Sequence, residues 1–151
     1  MQKKFLIPSL IVLFIIVVVS FFFFRQRQTD LRYVTDHSIV QWKIDGKNLN
    51  VEVVNTPESI ELGLGGRGSI EADGMLFVFD EPVQPVFWME DMKFPIDLYW
   101  IKDGKIIGFE KNLQPPKNLN EQDDLPKYSF PGYVDMVLEI PLSKRINLSQ
   151  Y

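Results

Sequence analysis

Three carboxylates stand where a charge is costly. Asp73, Asp97 and Glu139 each lie within or beside an apolar run (EADGMLFVF, PIDLYW and MVLEIP), and a charge in such a place needs a partner. Two of them facing each other at about 5–10 Å would suit the acid–base work of glycoside cleavage. The plainer reading ties each one to a backbone amide at a turn, or to Arg67 or a lysine, and it is the favoured one. Other chemistries have less to build on. The chain has no cysteine and one histidine, His37, so a thiol nucleophile is excluded and an N/S zinc site cannot be filled. No G-x-S-x-G elbow accompanies His37, which leaves a Ser-His-Asp arrangement without its nucleophile. Met89 and Met92 form an M-x-x-M, soft enough for Cu(I). Core filling is the commoner role of methionine in an aromatic-rich segment. No metal or cofactor is expected.

Aromatic residues are the remaining signal. Trp42, Trp88, Trp100 and all five tyrosines lie beyond Asp30. Exposed on a strand beside carboxylates, such rings would stack on sugars or dock a partner, whereas buried ones simply make a core. Within Ile96–Ile101 the alternation places Ile96, Leu98 and Trp100 on one face and Asp97, Tyr99 and Ile101 on the other.

The elements that would position these residues are short. Ile39–Ile44 and Leu49–Val54 alternate around Asp45-Gly46, a two-residue hairpin signal. Thr56-Pro57-Glu58 opens a helix, with an N-cap hydroxyl, proline at the first helical position and an acid in the first turn, ending at Leu62 or Gly63. The GLGGRG that follows reads as a loop. It lacks the lysine of a phosphate-binding loop and the strand-then-helix setting of a dinucleotide turn. Further strands are expected at Gly74–Phe79, Pro85–Met89, Ile96–Ile101, Lys105–Glu110 and Tyr133–Ile140, with Asp103-Gly104 turning a second hairpin. Lys111–Pro131 reads as a long surface loop. Short strands with one short helix imply a mostly β fold, a compact antiparallel sandwich or barrel.

Phe5 to Phe24 is a run of 20 residues without a charge. As a helix it would span about 30 Å, the thickness of a bilayer's hydrocarbon core. The run exceeds an ordinary signal-peptide core and no A-x-A-like segment follows it, so a retained single-pass anchor is the expectation. Lys3 and Lys4 before it and Arg25 and Arg27 after it nearly balance. The free terminal amine tips the orientation toward a C-terminal domain outside the cytoplasm. Beyond the anchor and its flanking Arg25 and Arg27, twelve basic residues face twenty acidic ones, a net charge of −8, which repels nucleic acid. The expected organisation is a basic flank at 1–4, a transmembrane helix at 5–24, a juxtamembrane linker at 25–37 and a β domain at 38–151.

An ordered set of segments then carries a resemblance. VEVVNTPE, G-L-x-x-R ending at Arg67, DGMLFVF, FWM, PID, DGKI and VLEIP, between Leu49 and Ile140, resemble the DUF192 (UPF0127) family, whose biochemical role is unknown. The resemblance implies a compact, jelly-roll-like β sandwich, in proteins often exported or membrane-anchored. Arg67, Asp73, Gly74, Met75, Trp88, Met89, Asp97 and Glu139 fall on the family pattern, and no established role comes with them. The chain departs from the pattern at Gly65, at Glu90-Asp91-Met92 and at Leu142-Ser143-Lys144-Arg145.

The sequence thus leads to a membrane-anchored extracytoplasmic module that binds a small molecule, glycan or protein at a cleft including Arg67, Asp73, Trp88, Met89, Asp97 and Glu139. A carboxylate hydrolase of envelope glycans and a purely structural envelope protein are the alternatives.

Overall fold

The computed structural model describes residues 11–19, 30–117, 125–146 and 148. Met1–Asp30 and Leu31–Tyr151 are separate compact units. In the first, residues 11–19 are helical, and the rest of the expected 5–24 span lies outside the described residues. Among the described residues no helix is long and apolar enough to cross a membrane.

The second unit is one six-stranded sheet: β1 (Ile39–Ile44), β2 (Lys47–Val54), β3 (Gly74–Val83), β4 (Ile96–Lys102), β5 (Lys105–Leu113) and β6 (Val134–Pro141), in the order β1-β2-β3-β6-β4-β5. The expected hairpins form at Asp45-Gly46 and Asp103-Gly104. Both residues of each turn have positive φ (49° and 73°, 50° and 69°), as a twist-matched two-residue loop requires. Helix α1 (Pro57–Leu62) starts where its cap predicts. Thr56 Oγ1 accepts from the Ser59 amide while Ser59 Oγ accepts from the Thr56 amide.

Four points differ from expectation. The sheet is not a closed barrel or a two-sheet sandwich, since β1 and β5 are left as its edges. It is also not wholly antiparallel, because β2 and β3 pair in parallel. The crossover between them carries α1 and the glycine loop, and a parallel pair needs a connection of that length. Pro85–Met89 is not a strand. Phe87 makes one isolated bridge to Tyr128, and its ring packs against Phe77 and Trp100 of the sheet. The stretch expected as linker up to residue 37 is held by the domain from Leu31 on. Asn55 Nδ2 donates to the carbonyls of Leu31, Arg32 and Val34, and Asp36 accepts from the Asn55 amide and from Ser59 Oγ.

The central strands are buried on both faces, which explains their unbroken apolar runs. One face carries Met75, Phe77, Leu98, Trp100 and Val137 beneath α1 and the 84–95 segment. The other carries Val51, Val53, Leu76, Tyr99, Ile101, Leu138 and Ile140.

Candidate functional site

The expected alternation on β4 holds, and it decides where the carboxylates go. Ile96, Leu98 and Trp100 belong to the first face and Tyr99 and Ile101 to the second, so Asp97 points to the second. On β6 the residues flanking Glu139, Leu138 and Ile140, belong to the second face, so Glu139 points to the first. Leu98 pairs with Glu139 and Asp97 with Ile140. The two acids are neighbours across a strand pair but emerge on opposite sides of the sheet.

Asp97, 1 % exposed, is fully engaged. It accepts from the Asn112 amide (2.8 Å) and from Arg145 Nε and Nη2 (3.0 and 3.2 Å), and Lys111 Nζ stands 3.6 Å away. Asn112 has φ 57°, which turns its N–H toward the carboxylate. Burial pushes the Asp97 carboxyl up, but the hydrogen bonds from Arg145 and Asn112 and the charges of Lys111 and Arg145 outweigh it, leaving it below the usual carboxylate range. Lys111 also donates to the buried Tyr99 hydroxyl and lies 4.1 Å from the centre of its ring. Asp73 accepts from the Asn50 amide (2.8 Å) while its own amide donates to the Asn50 carbonyl, continuing the β2–β3 ladder. These two fit the plainer reading of the sequence.

Arg67 joins neither. Its Nη1 and Nη2 donate to the two carboxylate oxygens of Glu52 (2.8 and 3.0 Å), and His37 Nδ1 lies 2.9 Å from Oε1 of the same group. Burial raises the Glu52 carboxyl, and the hydrogen bonds and charges of Arg67 and His37 bring it below the usual range. Glu52 is not among the expected site residues, although a lone acid among the apolar residues of VEVV is the same signal that marks Glu139.

Glu139 differs from all of these. Register places it beside Met75, which in turn pairs with Glu52, so the two glutamates are two strands, about 10 Å, apart on one face. Met75 and Arg67's commitment to Glu52 separate them. Among the described residues the Glu139 side chain has no hydrogen-bond or ionic partner, although it is 5 % exposed. Burial alone pushes its carboxyl up to about 8.

What Glu139 faces is a half-open cavity of about 790 Å³ between α1, the glycine loop, the 85–92 segment and β3. Phe77, Phe79, Phe87, Trp88 and Met92 make its apolar wall. Phe87 sets that wall, meeting Phe77 edge-on at 5.0 Å and Trp100 at 5.7 Å. Leu62, Val86 and Trp88 at the mouth are exposed. Trp88 Nε1 donates to Glu90 Oε2 at 2.6 Å. Of the expected cleft residues, the structure brings Trp88 and Glu139 together here. Arg67, Asp73 and Asp97 stand apart, and Met89 is packed in the core. The glycine loop offers no anion cradle. The amides of Gly63, Gly65, Gly66 and Arg67 donate to the carbonyls of Ser59, Leu62, Asp91 and Leu64.

Close backbone packing holds Glu139 in place. A Cβ on Gly74 would run into the Glu139 carbonyl oxygen, so only glycine lets β3 lie this close to β6. That accounts for the glycine of DGMLFVF.

The chain belongs to the DUF192 family of uncharacterised proteins, whose model matches residues 40–145. No curated protein sequence matches it. It is similar to a solved structure of a proposed transcription regulator from Sinorhizobium meliloti 1021 (29 % identity over 65 % of this chain and 72 % of that one, TM-score 0.55). It also shares its fold with a protein of unknown function from Novosphingobium aromaticivorans DSM 12444 (20 % identity, 76 % and 86 % covered, TM-score 0.53).

Proposed function

We propose that this member of the DUF192 family is a ligand-binding module, held at the cell membrane by its N-terminal segment with the β domain outside the cytoplasm. The cavity around Glu139 carries the reading. An aromatic-walled cavity with a few polar groups, one of them at its back, is the ordinary form of a small-molecule site. A carboxyl set against an aromatic wall with no partner among the described residues carries a desolvation cost that a bound ligand would offset. The uncharged run at 5–24 supports the anchor.

The hydrolase reading loses its support from the same geometry. Asp97 and Glu139 occupy opposite faces, and Asp73 is tied to the Asn50 amide. No pair converges on a substrate from these three. DNA contact, as the description of the Sinorhizobium protein would suggest, runs against the net charge of −8 beyond residue 29.

The test is a thermal-shift panel of envelope glycans, peptides and aromatic small molecules on the full chain, repeated on Trp88→Ala. A ligand at a hundred times its Kd adds about 2.7 kcal/mol, a shift on the order of 10 °C for a domain of this size. The reading expects a compound that is bound without being consumed and whose shift shrinks in Trp88→Ala. A silent panel, or hits indifferent to Trp88, would count against it.

A further inference from the structure

The charges around the cavity are of one sign. Among the described residues its lining includes Glu58 and Glu61 from α1, Glu90 and Asp91 from the turn of the 85–92 segment, and Glu139 from β6, and no lysine, arginine or histidine. The stretch of β3 that forms the back wall contributes Phe77 and Phe79 and no titratable group. Lys93, 3.9 Å from Asp91 and half exposed, is a basic neighbour of the rim. An anionic ligand would therefore enter against acidic side chains with no cation in the lining to receive it. A neutral apolar ligand would cover Glu139 and leave it without a partner.

We propose that the cavity takes a small organic cation, an amine on an apolar body, with its nitrogen against the Glu139 carboxyl and its carbon skeleton among Phe77, Phe79, Phe87 and Trp88. This rests on the reading of the cavity as a ligand site. In the empty cavity Glu139 holds its proton, since burial keeps its carboxyl at about 8. An entering ammonium ion supplies the missing countercharge. The Glu139 O–H bond breaks, its proton passes to solvent, and the carboxylate accepts an N–H from the ligand. One proton is released for each amine bound, so affinity rises as pH rises, up to about tenfold per pH unit, and levels off above the carboxyl's own value. A neutral hydrogen-bond acceptor would show the opposite trend, because it needs the protonated acid as donor.

The test uses the full chain in detergent micelles, with empty micelles as the blank, and three probes of one shape: 4-phenylbutylamine, 4-phenylbutan-1-ol and 4-phenylbutanoate. Calorimetry at pH 6, 7 and 8 is expected to rank the amine at least about tenfold above the alcohol at pH 8, with the carboxylate weakest. Glu139→Gln should bring the amine level with the alcohol and flatten its pH dependence. If that variant does not fold, the wild-type titration repeated in two buffers of different ionisation enthalpy reads the proton directly. One proton released per amine supports the proposal, and none overturns it. An alcohol bound as tightly as the amine, or the carboxylate bound best, would overturn the cation while leaving the cavity as a ligand site. If none of the three binds, both readings fall.

Discussion

The two faces of the sheet solve the same problem in opposite ways. On one, Asp97 is buried among Arg145, Lys111 and the Asn112 amide and stays ionised. On the other, Glu139 is buried against an aromatic cavity with no described partner and holds its proton. Both are lone acids in apolar strands one residue apart in register. Burial and sequence setting therefore do not separate an acid tied into the fold from one left facing a cavity. The inventory of donors on each face does. Asp97 and its partners tie β4, β5 and the C-terminal segment together, whereas Glu139 has no partner among the described residues and faces the cavity.

That contrast breaks most sharply under pH. A carboxyl raised from 4.5 to about 8 on folding contributes stability that is complete below the unfolded value and is lost as pH rises through the folded one. Glu139→Gln should therefore gain on the wild type between pH 5 and 8, by at most about 1.4 kcal/mol per pH unit. Urea denaturation at three pH values checks this, and parallel curves would contradict it. Asp97→Ala should go the other way, costing about 3 kcal/mol at neutral pH through its lost charge-assisted hydrogen bonds. Because the Asp97 carboxyl is lowered, the wild type should lose that advantage only as pH falls below the ordinary value of 3.8. An equal midpoint for both proteins at pH 7 would remove Asp97 from its structural role.

Gly74→Ala acts on the same strand pair through the backbone. Pressing a methyl group onto the Glu139 carbonyl should cost about 2 kcal/mol, read as a lower denaturation midpoint. The smallest effect belongs to Thr56→Ala, which removes the capping box under the cavity's helical wall for about 1 kcal/mol. A thermal melt would show it.

The sequence made local chemistry legible. Asp-Gly twice announced a hairpin, and Thr56-Pro57 announced α1, because turns and caps depend on residues a few positions apart. The alternation of Ile96–Ile101 showed that Asp97 and Tyr99 share a face. Pairings at long range were not legible. The parallel β2–β3 register follows from how a crossover packs, and Pro85–Met89 has strand-like residues but uses them as a cavity wall. Glu139 was visible as a charge in MVLEIP. Its isolation was not, because that depends on Arg67 being taken by Glu52 and Arg145 by Asp97.

Among the described residues Glu139 is an unpartnered acid at the wall of the cavity. Its carboxyl carbon can be followed directly by ¹³C NMR in the full chain labelled at glutamate, assigned by loss of the signal in Glu139→Gln. The expected titration midpoint in the ligand-free protein is near 8. A midpoint in the ordinary carboxylate range, near 4.5, would mean that Glu139 has found a partner or reached water, and would contradict it.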